Sequence, residues 1–281
     1  RQQMKSLWHY SFLSLLILLF CKCKQPAETL DAPGEERKKI EIVTNYGSMI
    51  VELYNETPLH RDNMINLANN KAYDSLLFHR VINEFMIQGG DPDSRKAQPN
   101  DTLGNGDAPY LIDAEFHDDL FHKKGVLAAA RDDHPEKASS AMQFYIVQGK
   151  KFNDSLLKLV EKRIDKNRAR DYFRNENRKT TLIDSIQYAR DHEHMKTYNR
   201  LMDNLLRLAY QEEKFKPYVI PDDQRKVYKS IGGTPHLDQN YTVFGELVKG
   251  MNVLDSIARV PTNTLDRPLT AVRIQTIKLL N

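Results

Sequence analysis

The sequence predicts a mainly β domain, a barrel or a sandwich, that is interrupted by an α-helical insertion. Two contrasting stretches predict this class. Residues 39–149 contain several short runs of alternating apolar and polar residues with few helices between them, as barrels and sandwiches do. Residues 150–231 contain no glycine, and no proline before Pro217, and this lack of chain-breaking residues is typical of helices.

The composition excludes several classes of protein. Charged residues make up 28% and apolar residues 40% of the 281 residues, as in ordinary globular proteins, which argues against wholesale disorder. Two cysteines are too few for a disulfide framework or a four-cysteine zinc site. The net charge of +3 gives no reason to expect a nucleic-acid binder. The charge is uneven, because residues 150–230 carry a net +7 and the remainder a net −4.

Residues 1–24 are typical of an export leader. The apolar segment 11–20 is shorter than the ~20 residues of a membrane span, but it suits the apolar region of a secretory signal, with Met4 as a candidate start. A cysteine directly after such a segment resembles the lipidation site of bacterial lipoproteins. This resemblance predicts lipidation at Cys21, or alternatively at Cys23.

Residues 25–38 are polar, contain two prolines and are predicted to form a tether. Leader and tether together predict a lipid-anchored protein of the bacterial cell envelope that faces the periplasm. Two alternatives stay open, a cleaved signal without lipid and an uncleaved N-terminal anchor.

The predicted domain covers residues 39–281 and begins with a β-hairpin. Residues 40–44 and 49–54 alternate around a turn that contains glycine. Thr57 and Pro58 then open a helix, with the threonine as its cap and the proline in its first turn.

The remaining predicted elements lie on both sides of the insertion. Further strands are expected at residues 76–82, 85–88, 125–130, 143–148, 242–247 and 272–280, and a helix is expected at residues 251–260.

The insertion, residues 150–231, is predicted to be helical. Asn153 and Asp154 offer helix caps, and residues 195–209 follow the spacing of an amphipathic helix. Residues 165–178 are mostly polar, and we leave open a solvated helix or a loop. The net positive charge of the whole insertion is suited to binding acidic client proteins or anionic lipid headgroups. The alternative is that the insertion is simply a solvated helical hairpin.

One pair of histidines in the insertion invites a metal-site interpretation. His192 and His194 are two residues apart, and such side chains diverge on a helix, so we expect no metal site there.

Five ordered blocks carry a family resemblance. The longest is Phe78-His79-Arg80-Val81-Ile82-Asn83-Glu84-Phe85-Met86-Ile87-Gln88-Gly89-Gly90-Asp91, and the others lie at residues 104–110, 125–131, 143–146 and 241–245. Together they resemble the cyclophilin peptidyl-prolyl isomerases. The resemblance implies an eight-stranded antiparallel β-barrel capped by two helices. It also implies an enzyme without cofactor or metal that accelerates X-Pro isomerisation in exported, Pro-containing polypeptides. We expect it to be a monomer.

Isomerisation must twist an amide whose resonance imposes a barrier of ~18–20 kcal/mol. Lowering that barrier needs a slot for the proline ring and a donor that stabilises the twisted amide. Arg80 matches the family's catalytic arginine and is our candidate donor, because a guanidinium is always charged and carries several donors. The alternative for Arg80 is a surface ion pair.

The resemblance also implies the residues that bind substrate. Four are expected to line the proline slot: Phe85, Met86, Tyr145 and Leu237. Five more are expected to contact the peptide or edge its groove: Gln88, Ala130, Arg131, Gln143 and Tyr241. For each apolar residue taken singly, packing in the core is the commoner role.

Several residues depart from the family's pattern. Ala141 and Met142 stand where the family usually has Gly-Ser, which predicts an altered loop near the pocket. His236 replaces a tryptophan of cyclosporin-sensitive members. His79 is interpreted as structural, because isomerisation breaks no bond to hydrogen.

A non-catalytic module of the same fold remains the alternative function. It would bind Pro-containing segments or act as a holding chaperone, with the insertion as its client surface. Deletion of residues 152–230 distinguishes the roles, since an independent barrel is expected to keep activity on a short peptide. A hydrolase lacks support, because neither a Gly-x-Ser-x-Gly nor a His-Glu-x-x-His motif occurs.

Overall fold

Ten strands and six helices are formed by residues 36–280, the part of the chain that the computed structural model describes. The strands are β1 (Lys39–Thr44), β2 (Gly47–Leu53), β3 (Phe78–Ile82), β4 (Met86–Gly89), β5 (Leu111–Ile112), β6 (Val126–Ala129), β7 (Ser139–Ser140), β8 (Phe144–Val147), β9 (Val243–Lys249) and β10 (Ile274–Leu280). The helices are α1 (Pro58–Asn69), α2 (Asp154–Asn175), α3 (Thr180–Asp191), α4 (Met195–Ala209), α5 (Asp222–Ser230) and α6 (Met251–Ala258). The predicted leader, both candidate lipidation cysteines and most of the predicted tether lie outside the described residues.

Eight strands form one antiparallel sheet in the order β10-β1-β2-β9-β6-β8-β4-β3. The sheet curls until its two ends meet. There the Phe78 amide donates to the Val272 carbonyl at 2.9 Å, and the Ile274 amide donates to Leu76 at 2.8 Å. The predicted eight-stranded antiparallel barrel is therefore confirmed, and β5 and β7 pair separately beside it.

The barrel closes over an apolar core that the alternating pattern supplies. Ile40 and Ile42 of β1 are fully buried, while Glu41 between them is not. Helix α1 packs against β10 and β9, and α6 packs against β2, β3 and β4. These two helices are the predicted caps of the barrel.

The N-terminus of α1 is capped by the carboxylate of Glu115 and not by the predicted Thr57. Thr57 occupies the cap position, but its hydroxyl donates to the Tyr54 carbonyl at 3.5 Å and makes no cap bond. The Glu115 carboxylate instead accepts the amides of Leu59 and His60, each at 3.0 Å. A carboxylate suits this place because helix N-termini carry unpaired N–H groups and positive potential.

Residues 165–175 of the insertion form a helix with a buried face, not a solvated helix or a loop, and residues 176–178 lie in the turn that follows it. Helix α2 runs through to Asn175 there, and Ala169 and Phe173 are fully buried against α3 and α4. Asn153 caps α2 as predicted, accepting the Leu156 amide at 2.9 Å. The sequence pattern does not reveal this buried face of α2, because its apolar residues are few and are interspersed with charged residues.

The two ends of the insertion are joined to the barrel. Lys150 and Lys123 both form β-bridges with Gly233, and a side chain on Gly233 would lie 2.2 Å from the His122 carbonyl oxygen. Only glycine fits this close approach. Leu157 of α2 and Tyr228 of α5 then share an apolar cluster with the barrel residue Phe121. The insertion is thus packed onto the barrel and is not a free hairpin.

His192 and His194 lie in the turn between α3 and α4 and not on a helix, as had been expected from their sequence. Their ring centroids are 6.2 Å apart, and residues 36–280 contain no cluster of three or more His, Cys, Asp or Glu side chains suited to a metal ion. No helix among these residues combines the length and apolar character that crossing a membrane requires.

Candidate active site

Nine of the ten predicted site residues line one pocket of about 170 Å³. They come from four parts of the barrel: the β3–β4 hairpin, the end of β6, strand β8 and the segment that follows the insertion. The lining residues are Arg80, Phe85, Met86, Gln88, Ala130, Arg131, Tyr145, Leu237 and Tyr241. The tenth residue, Gln143, lies in an adjoining depression.

Strand pairing brings the polar edge and the aromatic wall of the pocket together. Gln88 of β4 pairs with Arg80 of β3 on one side and with Tyr145 of β8 on the other. Directly paired residues project from the same face of a sheet, so these three side chains form a row across the strands. A row of this kind cannot slip without moving the whole core to the wrong face.

Arg80 presents its guanidinium at the edge of the pocket. The side chain is 44% exposed, and its Nε lies 3.4 Å from an Oδ2 of Asp266, which is itself 40% exposed. An ion pair this open to water is worth at most about 1 kcal/mol. It therefore orients the guanidinium and still leaves it able to donate hydrogen bonds into the pocket. Arg80 therefore makes a surface ion pair and also lines the pocket, so the ion pair does not conflict with the donor role predicted for it.

Asp266 is an ion-pair partner of Arg80 that the sequence did not predict. It lies in the turn before β10, and its carbonyl oxygen accepts the Val81 amide at 2.8 Å. This bond brings the turn beside β3. No local motif marks Asp266, because its neighbour Arg80 is distant along the chain.

The two glutamines form a relay at the edge of the pocket. Gln143 donates its amide to the carbonyls of Gly104 and Gly106 at 2.9 and 2.8 Å, and its Oε1 accepts from Gln88 Nε2 at 3.1 Å. Gln143 thus fixes Gln88 and the glycine loop. The adjoining depression, of about 300 Å³, shares Gln88, Ala130 and Arg131 with the pocket.

Arg131 has a different environment from Arg80. Its Nε donates to the Asn240 carbonyl at 2.7 Å and its Nη2 to the Asn240 side chain at 2.6 Å. The guanidinium carbon lies 4.9 Å from the centre of the Tyr241 ring, within the range of a cation–π contact. Arg131 therefore holds Tyr241 at the pocket edge.

Aromatic rings build the apolar wall. Phe85 stacks on His236 with ring centroids 5.5 Å apart, and Tyr145 meets Tyr241 edge to face at 6.0 Å. Burial lowers the pKa of His236 to about 4, so the ring that replaces tryptophan is neutral at neutral pH.

His79 lies buried beside Arg80. Burial lowers its pKa to about 4, and neither ring nitrogen has a hydrogen-bond partner among the described residues. A neutral ring without polar contacts agrees with the structural role predicted for it.

The departure at residues 141–142 does not enter the pocket. Ala141 and Met142 are buried, and their amides donate to the Asp107 carboxylate at 3.3 and 2.9 Å. Met142 packs in the main core, and neither residue lines the pocket or the adjoining depression. The altered residues fill the core instead.

A Ser-His-carboxylate arrangement lies elsewhere in the barrel. Ser139 Oγ is 3.0 Å from His60 Nε2, and His60 Nδ1 is 2.7 Å from Glu115 Oε2. Ser139 is 1% exposed and His60 3% exposed, so no substrate reaches the hydroxyl. With Glu115 also bound to α1, this group ties the helix to the barrel and gives no support to a hydrolase.

Comparisons with known proteins agree with this fold. The family model for "Cyclophilin type peptidyl-prolyl cis-trans isomerase/CLD" matches residues 39–192 and 226–279. The unmatched stretch between the two parts, residues 193–225, is shorter than the predicted insertion.

Bacterial relatives match over most of the chain. A Staphylococcus haemolyticus protein named "Putative peptidyl-prolyl cis-trans isomerase" is 28% identical over 240 residues, 85% of this chain and 89% of that protein. A Streptococcus pyogenes "Putative bifunctional phosphatase/peptidyl-prolyl cis-trans isomerase" is 28% identical over 255 residues. The match covers 90% of this chain but only 41% of that longer protein.

Among solved structures, a crystal structure of a Cryptosporidium parvum cyclophilin type peptidyl-prolyl cis-trans isomerase superposes with a TM-score of 0.52. It is 18% identical, and the alignment covers 87% of this chain and 98% of that one, a likeness of fold. With the family match extending over most of its length, the chain belongs to the cyclophilin-type peptidyl-prolyl cis-trans isomerases.

Proposed function

We propose that this isomerase acts on X-Pro bonds of exported proteins as they fold, in the pocket edged by Arg80. The observation that carries the proposal is the placement of one accessible guanidinium at the edge of an apolar pocket. The floor and wall, Met86, Phe85 and Leu237, offer a slot for a proline ring.

The chemistry follows from the electronic structure of the amide. Twisting the X-Pro bond breaks resonance and leaves a lone pair on the proline nitrogen, which then accepts a hydrogen bond better than the planar amide does. A guanidinium placed beside that nitrogen therefore stabilises the twisted state more than the ground state. No proton is transferred, so the neutral His79 needs no part in the reaction.

Replacement of Arg80 tests this role. Arg80→Ala is expected to lower kcat/KM on a short X-Pro peptide on the order of 100-fold, the usual effect of removing one transition-state donor. Arg80→Lys, which keeps the charge but loses the rigid fork, is expected to fall between wild type and Arg80→Ala. A protease-coupled assay measures both.

The matched control is Arg259→Ala, an exposed arginine at the end of α6. It is expected to leave the rate unchanged. Turnover by Arg80→Ala equal to that of the wild type would refute the role of Arg80.

The place of action rests on residues 1–38, whose pattern suggests a lipid anchor at Cys21 or Cys23 and a periplasmic location. In a bacterial host, the full chain is expected in the membrane fraction and Cys21→Ser in the soluble fraction. Cys23→Ser is the matched control. Membrane association that survives both replacements would contradict a lipid anchor.

A holding chaperone is the second candidate function, and one feature of the insertion favours it. A groove of about 540 Å³ between α2 and α4 is lined by Leu159, 64% exposed, and Met195, 51% exposed, next to Lys162 and Arg163. Exposed apolar side chains beside cations suit unfolded acidic segments. Suppression of client aggregation that Leu159→Ser and Met195→Ser abolish, while Arg80→Ala retains it, would support this second function.

A further inference from the structure

A buried hydrogen-bond chain runs from the insertion to the wall of the pocket. The Tyr228 hydroxyl of α5 donates to Asp238 Oδ2 at 2.6 Å, and Asp238 Oδ1 lies 2.8 Å from His122 Nδ1. His122 Nε2 then lies 2.9 Å from the Tyr145 hydroxyl, whose ring lines the pocket. All four residues are buried.

The partners assign the protons along this chain. Asp238 Oδ1 also accepts the His122 amide at 2.9 Å, and a carboxylate only accepts, so the imidazole proton sits on Nδ1. In a neutral imidazole with its proton on Nδ1, Nε2 is the acceptor for the Tyr145 hydroxyl. Burial raises the pKa of Tyr145 and of Tyr228 well above the ordinary value, so both hydroxyls keep their protons and donate.

The hydrogen-bond chain fixes two walls of the pocket at once. Asp238 directly follows Leu237 and precedes Tyr241 on the same short segment, and both of these neighbours line the pocket. His122 lies nearly parallel to the Tyr145 ring, with centroids 6.1 Å apart and planes 13° apart. Fixing Asp238 and His122 therefore fixes the apolar slot.

The end of the hydrogen-bond chain that lies farthest from the pocket, Tyr228, belongs to the insertion. Tyr228 is held edge to face against Phe121 at 5.4 Å and packs with Leu157 and Ile220 of the insertion. Removing its hydroxyl would leave one oxygen of the buried Asp238 without this donor, which is costly for a charged group.

We propose that Tyr228, Asp238 and His122 are positioning residues for the isomerase reaction, through which the helical insertion holds Tyr145 and Leu237 in place. The inference deepens the proposed function and rests on it. None of the three lines the pocket; each acts through a residue that does.

The test compares Tyr228→Phe, Tyr145→Phe and the double variant in the full chain. Each single variant is expected to lower kcat on an X-Pro peptide about three- to tenfold, with less change in KM. The double variant is expected to lose about as much activity as the more damaging single variant, and not the product of the two losses, because both replacements break the same hydrogen-bond chain. The matched control is Tyr210→Phe, which removes a hydroxyl bound to the Asp165 carboxylate at 2.8 Å inside the insertion. It is expected to keep full activity.

A ring-labelled tyrosine spectrum supplies a readout that does not depend on turnover. Tyr228→Phe is expected to shift the Tyr145 resonances while Tyr210→Phe leaves them in place. An inactive wild type would refute the proposed function. The Tyr145 resonances would still show whether Tyr228 is coupled to Tyr145. Wild-type kcat and unshifted Tyr145 resonances in Tyr228→Phe would overturn the inference, and so would activity that falls only with the folded fraction.

Discussion

The barrel and the helical insertion differ in how they hold together. The barrel buries a large apolar core within a closed ladder of strands. The insertion packs a smaller core around Phe173 and adds ion pairs, among them Lys166 with Asp203 at 3.0 Å and Arg178 with Glu212 at 2.7 Å. Although the insertion carries a net charge of +7, it has a packed apolar core of its own.

The two regions meet again beside the pocket. Arg190 of α3 pairs with Asp133 at 2.7 Å, and Asp171 of α2 pairs with Lys137 at 3.1 Å. Asp133 lines the depression that adjoins the pocket. The barrel supplies the residues that line the pocket, and the insertion contacts barrel segments beside it.

Deletion of residues 152–230 is the strongest way to break this comparison. The sequence alone led us to expect an independent, active barrel. The structure leads us to expect a poorly folded or inactive barrel. Phe121 would lose the apolar side chains that pack on it, and Asp238 would lose its hydrogen-bond donor Tyr228. Near-ultraviolet circular dichroism and kcat/KM measure the outcome. A well-folded deletion variant with wild-type kcat/KM would show that the regions are independent.

Two buried phenylalanines compare the cores directly. Phe144→Ala in the barrel and Phe173→Ala in the insertion are each expected to cost about 3–5 kcal/mol of unfolding free energy, since both side chains are fully buried. Only Phe144→Ala is expected also to lower the activity of the folded protein, because Phe144 lies between Gln143 and Tyr145 on β8. Denaturant unfolding and kcat/KM below the transition test this pair, and equal activity losses would contradict it.

Acid is expected to weaken the barrel through its buried histidines. His79 and His236 have folded-state pKa values of about 4 against 6.5 when unfolded, so the unfolded chain binds more protons between these values. Their contribution to stability is complete above about pH 6.5 and is lost as the pH falls towards 4. Each histidine accounts for about 2 kcal/mol between pH 7 and pH 5.

His236→Phe keeps the aromatic stack and is expected to remove its share of this loss. His192→Phe, at an exposed position of the insertion, is the control and should leave the pH dependence unchanged. Unfolding free energies at the two pH values measure the difference. Identical slopes in His236→Phe and wild type would contradict the assignment.

The smallest expected effect belongs to the ion pair that joins the regions. Arg190 and Asp133 are 35% and 42% exposed, so a double-mutant cycle of Arg190→Gln and Asp133→Asn should give a coupling of about 0.2–1 kcal/mol that salt weakens. A coupling that high salt leaves intact would indicate a buried contact.

Local patterns predicted the elements of the barrel, because alternation and turn residues act over a few positions. The β1–β2 hairpin and the strands around the pocket follow from them. Arg80, Phe85 and Met86 were identified through the family motif, and strand pairing explains why they meet Tyr145.

Long-range contacts could not be predicted. The carboxylate that caps α1 comes from Glu115, 55 residues beyond His60. Tyr228, Asp238 and His122 belong to no common motif, since they meet only after the insertion returns to the barrel. The buried face of α2 likewise depends on α3 and α4.

The most direct test measures the cis–trans exchange rate of an X-Pro peptide at equilibrium by NMR, with catalytic amounts of wild type, Tyr228→Phe and Arg80→Ala. The exchange rate should be highest with wild type, lower with Tyr228→Phe and nearly uncatalysed with Arg80→Ala. Exchange with Arg80→Ala as fast as with wild type would contradict the account.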